Sequence, residues 1–138
     1  MKLLAMMLAT TVLMTPSSPN DYKTAYEKAQ KGDKPLLVLV TAEWCPPCQT
    51  MKKTTIPQLM QKKAFRNFHY ATVDLNADEK LARQLIGNRG VPQFIMFEKK
   101  NDRWVRRYLR GIQTPNSVEA FMAQAETLRT ADASNANK

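Results

Sequence analysis

The chain has 138 residues, 43% of them hydrophobic and 24% charged, with a formal net charge of +9. That length suits one compact domain that buries its core without covalent staples, and two cysteines are too few for a disulfide framework. A structural zinc site takes four ligands, and His69, the single histidine, is all that remains to join the two thiols, so no metal is expected. Lys and Arg are scattered over the predicted helices and hairpin, which predicts a solvated basic surface and no nucleic-acid partner, with acidic partners or an anionic envelope surface left open. The longest basic cluster, Arg103 to Arg110, interleaves aromatics with cations but alternates as a strand does.

In chain order, Lys2 is followed by the apolar run Leu3 to Met14 and then Thr15-Pro16-Ser17-Ser18-Pro19. A positive start, a short hydrophobic middle and small residues beyond predict an export signal over 1–18, because twelve residues fall short of the roughly 20 that span a bilayer. A buried first helix is the alternative, but the run has no polar face. No cysteine follows it to carry a lipid anchor. Export would place the protein in a periplasmic or extracellular compartment, where disulfides persist. The domain then covers 19–129, and the small polar residues 130–138 predict a disordered tail.

Within that domain a helix is predicted over Pro19 to Lys31, capped by Ser18 and stopped by Gly32. Leu36 to Val40 is five apolar residues in a row, as a strand covered on both faces requires. A helix from Cys45 to about Thr55 should break or kink at Pro57, with a second piece from Gln58 to Phe65. Phe68 to Asp74 reads as a strand, and Ala77 to Ile86 as a helix closed by Gly87. Val91-Pro92 leads into Gln93 to Phe97, Glu98 to Asp102 form a polar turn, and Trp104 to Leu109 pair back as a hairpin. In that last strand Trp104, Arg106 and Tyr108 alternate with Val105, Arg107 and Leu109. A helix over Pro115 to Leu128 turns Val118, Phe121, Met122, Ala125 and Leu128 inward.

The chemistry concentrates in Thr41-Ala42-Glu43-Trp44-Cys45-Pro46-Pro47-Cys48, where the apolar strand gives way to a helix. A C-x-x-C pair closes a very small ring, so its bond adds little stability and is available for exchange. A thiolate attacks a disulfide, and the start of a helix favours it, lowering the cysteine pKa from about 8.5 to around 7 or below. Pro46 and Pro47 have no N–H to offer the sulfur while Cys48 does; fewer donors argue for a higher pKa and a stiffer turn for a better-held thiolate, so the sequence leaves the sign of their effect open. His69, alone in a strand, reads as a surface or packing residue rather than a base, because a catalytic histidine needs a nucleophile within reach.

Strand, Trp-Cys-x-x-Cys opening a helix, strand, helix, then Gly90-Val91-Pro92 leading into a hairpin, Gly111 and a final helix: from about Asp21 to Leu128 the chain resembles the thioredoxin family. The resemblance implies an α/β thioredoxin fold with a central mixed sheet of about four strands flanked by helices and a cis-Pro loop. It also implies a thiol-disulfide oxidoreductase with Cys45 as the exposed attacking thiol and Cys48 as the buried resolving one. Pro92 would be cis and face the disulfide, with the Val91 backbone pairing with an extended substrate. Trp44, Gly90 and Gly111 would line the docking surface. Leu39 stands where thioredoxins carry a buried Asp that relays protons, so Glu43 and Asp74 become alternative relays, against plainer readings as a surface carboxylate and a loop cap. The first edge strand of thioredoxin is missing. Pro46-Pro47 replaces the usual Gly-Pro, and Lys34-Pro35 with Thr54-Thr55-Ile56-Pro57 is similar to exported relatives and to the thioredoxin-like domain of transmembrane disulfide reductases.

The expectation is therefore a monomeric enzyme that reduces protein disulfides, or relays electrons to them, in the cell envelope. It would need no cofactor beyond its own Cys45-Cys48 pair, and an upstream dithiol donor, a membrane disulfide reductase among the candidates, would recharge it. Two other readings fit the same residues: a redox-silent module that captures extended peptides at Val91-Pro92, and Cu(I) delivery through the paired thiols.

Overall fold

The computed structural model describes residues 20–32 and 34–135. The export signal over 1–18 and the Ser18 cap lie outside the described residues. The elements run α1 (Tyr22–Lys31), β1 (Leu36–Thr41), α2 (Pro46–Thr50), a π-helical turn (Met51–Thr55), α3 (Ile56–Gln61), a 3-10 turn (Ala64–Asn67), β2 (His69–Asp74), α4 (Glu79–Ile86), β3 (Gln93–Lys100), β4 (Arg103–Arg110) and α5 (Pro115–Asn135). The strands form one mixed sheet in the order β2-β1-β3-β4, with β1 parallel to β2 and antiparallel to β3, and β3 antiparallel to β4.

β1 is buried at every position, as its unbroken apolar run predicts. Its alternate residues feed two cores. Leu37 and Leu39 pack with Met51, Leu59, Phe94, Met96 and the α5 residues Val118, Phe121 and Met122. Leu36, Val38 and Val40 pack with Ile95, Phe97, Ala25 and Ala29 of α1, and Ala82, Leu85 and Ile86 of α4. This sandwich fixes the C-terminal end of β1, and α2 starts there.

Several boundaries differ from expectation for identifiable reasons. α1 is capped by Asp21, whose carboxylate accepts the Thr24 N–H at 2.9 Å, so the helix begins at Tyr22. Pro57 does not break its helix. The preceding turn widens, so that the Ile56 N–H reaches back to the Met51 carbonyl, and the backbone stays helical from Pro46 to Gln61 through the proline. β3 continues through Glu98, which is 3% exposed, so Glu98 belongs to a strand rather than to the polar turn; the turn narrows to Asn101 and Asp102, both at positive φ. α5 runs to Asn135, past the expected end at Leu128 and into the stretch read as a disordered tail. No Gly or Pro interrupts it, and the Thr127 and Thr130 hydroxyls bond carbonyls of the preceding turn. Leu128 is 37% exposed, so the inward stripe ends at Ala125.

Tyr70 packs its ring against Phe65 at 4.5 Å and shares a 3.0 Å hydrogen bond with the Thr72 hydroxyl. Burial pushes its phenol pKa from 10.0 up to about 12. The unfolded chain therefore loses this proton first, and stability should fall by about 2 to 3 kcal/mol as pH rises from about 10 to about 12. Urea titrations across that range should show the decline, and Tyr70→Phe should flatten it.

Candidate active site

Cys45 is the N-cap of α2, in extended conformation, and Pro46 and Pro47 occupy the first two helical positions, where no N–H partner would be lost. Cys45 and Cys48 form a disulfide with their Cα atoms 5.2 Å apart. The Cys48 N–H donates to Cys45 Sγ at 3.2 Å, so the one amide that the two prolines leave available points at the outer sulfur. The same donor would hold a Cys45 thiolate once the bond is reduced.

The Val91-Pro92 peptide bond is cis, as expected. The Val91 carbonyl oxygen lies 3.7 Å from Cys45 Sγ, where it can accept from the reduced thiol. Ala42, Leu75 and Val91 pack around the two cysteines. Cys45 is consequently 3% exposed and Cys48 fully buried. The expectation that Cys45 is an exposed sulfur over a buried Cys48 needs correcting: both are buried in the disulfide, where the Cys45 surface is shared with Cys48 and covered by the Val91 backbone. Trp44 stands out beside it, 66% exposed, and Pro46, Pro47 and Gly90 are exposed too.

Gly111, at φ +79°, donates its N–H to the Pro92 carbonyl at 2.9 Å, which seats the loop after β4 against the cis-Pro loop. That loop is tied again where sequence reasoning saw nothing. Thr55, in the π-helical turn and 4% exposed, donates its hydroxyl to the Gln113 carbonyl at 2.9 Å. The Gln113 side-chain amide in turn donates to the Arg110 carbonyl at 2.7 Å. An inward-facing threonine late in the active helix is the only sequence signal for this knot. Gln93, directly after Pro92, is fully buried with no hydrogen-bond partner for its side-chain amide among the described residues.

The two candidate proton relays are placed differently. Glu43 is exposed, and its ties run through its backbone: its N–H donates to Asn76 Oδ1 at 2.9 Å, and its carbonyl accepts from the Gln49 side chain. Asp74 ends β2, pairs with Lys52 at 3.1 Å and accepts the Asn76 N–H at 2.9 Å. No hydrogen bond joins either carboxylate to a cysteine among the described residues. Leu39 is fully buried in the core with Met51 of the active helix, and the residues packed around the two sulfurs, Ala42, Leu75 and Val91, are apolar. His69 lies at the start of β2, away from the strand end that carries the cysteines, and burial, then the charges of Lys34 and Lys28, lower its pKa.

A family model described as thioredoxin-like matches residues 17–99. A thioredoxin from Aspergillus fumigatus is 31% identical over 78 residues, which is 56% of this chain and 69% of that protein. Among solved structures, a thioredoxin from Thermus thermophilus superposes with a TM-score of 0.64 at 23% identity, covering 75% of this chain and 82% of its own, a likeness of fold. Trxlp from Edwardsiella tarda gives 0.56 at 26% identity, covering 73% of this chain and 94% of its own. Sequence and fold thus lead to one place: the chain belongs to the thioredoxin-like family and is a thiol-disulfide oxidoreductase.

Proposed function

We propose that this protein reduces protein disulfides, or relays electrons to them, in the cell envelope. The observation that carries the direction of attack is the Cys48 N–H held on Cys45 Sγ, with Cys48 itself sealed beneath. The Cys45 thiolate attacks one sulfur of a substrate disulfide, and the other substrate sulfur leaves as a thiolate and takes up a proton. Cys48 then loses its proton and attacks Cys45 Sγ, releasing the second substrate thiol and closing the Cys45-Cys48 disulfide. Two electrons pass to the substrate, and a dithiol donor, such as a membrane disulfide reductase, restores the pair. Run backwards the same steps oxidise, and the direction follows from the reduction potential against the compartment.

The exposed Trp44, the Gly90-Val91-Pro92 backbone and Gly111 frame the groove in which an extended substrate would lie. Of the two roles open to Asp74 we assign the structural one, because its oxygens are engaged by Lys52 and the Asn76 amide. The envelope assignment rests on Lys2 and the apolar run Leu3 to Met14.

Expressing Cys48→Ser in full-length form and identifying its mixed-disulfide partners by mass spectrometry tests the proposal. Exported, disulfide-bearing proteins should be captured. Capture of cytosolic proteins alone would remove the envelope role.

A further inference from the structure

We propose that a basic rail on one face of β4 selects substrates whose reducible disulfide is flanked by acidic residues; this rests on the oxidoreductase reading above and names its substrate class. Arg106, Tyr108 and Arg110 share a face of β4, the strand at one edge of the sheet, and span about 13 Å at strand rise. Arg89, immediately before Gly90 of the cis-Pro loop, lays its guanidinium over the Tyr108 ring at 5.1 Å, and Arg106 lies over Phe97 at the same distance. Stacking holds these groups in place without neutralising them. Arg89, Arg106 and Arg110 are exposed, and none is in a salt bridge among the described residues, whereas the neighbouring Arg107 on the opposite face is paired with Glu98.

The rail ends at the site. Arg110 is the register partner of Gln93, the residue after Pro92, and precedes Gly111, whose N–H bonds the Pro92 carbonyl. Across the groove the sign reverses. The exposed Glu43, in no salt bridge among the described residues, lies toward β2, at the other edge of the sheet, where Asp74 is already paired with Lys52. An extended chain entering at Val91 would therefore meet unpaired cations on one side and the Glu43 carboxylate on the other, which favours an acidic segment lying toward β4 and fixes its direction. The occupant is thus an acidic stretch of a substrate protein next to its disulfide.

Two synthetic peptides closed by the same intramolecular disulfide, one flanked by Asp and Glu and the other by Asn and Gln, test this with the pre-reduced full-length protein at low ionic strength. The second-order rate constant should favour the acidic peptide by about tenfold. In Arg89→Gln/Arg110→Gln the ratio should fall to near one, while Arg89→Lys/Arg110→Lys keeps it. Lys31→Gln/Arg66→Gln removes the same charge at the far end of the sheet and should also keep it. A ratio near one in the unaltered protein, its survival in the double glutamine variant, or its equal loss in the remote pair would overturn the rail. If the unaltered protein matches Cys45→Ser on both peptides, the oxidoreductase reading itself has failed.

Discussion

Cys45→Ser should reduce insulin disulfides no faster than buffer with the same dithiol donor, while retaining the unaltered protein's melting temperature. The loss follows from the geometry of the pair. Cys45 Sγ is the sulfur that receives the Cys48 N–H at 3.2 Å and lies against the Val91 carbonyl at 3.7 Å, on the side where Trp44 and the cis-Pro loop face outward. Cys48 is fully buried and cannot take over the attack without the helix start coming apart. Stability should hardly change, because a ring closed over a sequence separation of 3 restrains little of the unfolded chain. Cys48→Ser should fail differently: the first exchange proceeds and the mixed disulfide accumulates, so turnover stops with the partner attached.

Arg107→Ala should be the costliest surface-strand substitution, lowering stability by about 3 kcal/mol and the melting temperature by about 10 °C. Arg107 Nε donates to Glu98 Oε1 at 2.7 Å, and its two remaining nitrogens donate to Gln124 Oε1 at 2.8 Å and the Phe121 carbonyl at 3.3 Å. The guanidinium also lies over the Phe121 ring at 4.8 Å. One side chain thus pins the β3–β4 hairpin to α5. Glu98 Oε2 is already buried without a partner, so removing the arginine strands a carboxylate in the interior. Glu98→Gln removes the charge but keeps the shape and an acceptor, and should cost less. Thermal melts of the three proteins, followed by circular dichroism, settle the ranking; an Arg107→Ala melt within about 2 °C of the unaltered protein would contradict it.

What could be read from residues alone was whatever depends on local pattern. The unbroken Leu36 to Val40 run declared a doubly covered strand, the alternation in Trp104 to Leu109 sorted its two faces, and the Cys45 to Cys48 spacing at a helix start marked the thiol pair, while Val91-Pro92 joined the site only through the resemblance to thioredoxins. Interactions between distant positions were not legible. Glu98 looked like turn material because a lone acidic residue next to Lys99 and Lys100 resembles a polar loop; only the register that sets Glu98 against Val105 and Phe97 against Arg106 places Arg107 within its reach. The bonds from Thr55 to Gln113 and from Lys52 to Asp74 join positions that no helical or strand period relates. The near-complete burial of Cys45 was equally hidden, because it depends on a backbone carbonyl delivered from the cis-Pro loop. Pro57 misled for the opposite reason: a local rule was applied correctly, and a wider helical turn absorbed its consequence.

The account depends on a division of labour between two adjacent sulfurs, and one measurement addresses it directly. Each reduced single-cysteine variant is mixed with a model disulfide, and the intact masses are recorded before any donor is added. Cys48→Ser should carry one stable adduct, mapped to Cys45, while Cys45→Ser stays unmodified over the same interval. An adduct that forms equally fast on Cys48 in the Cys45→Ser protein would contradict it.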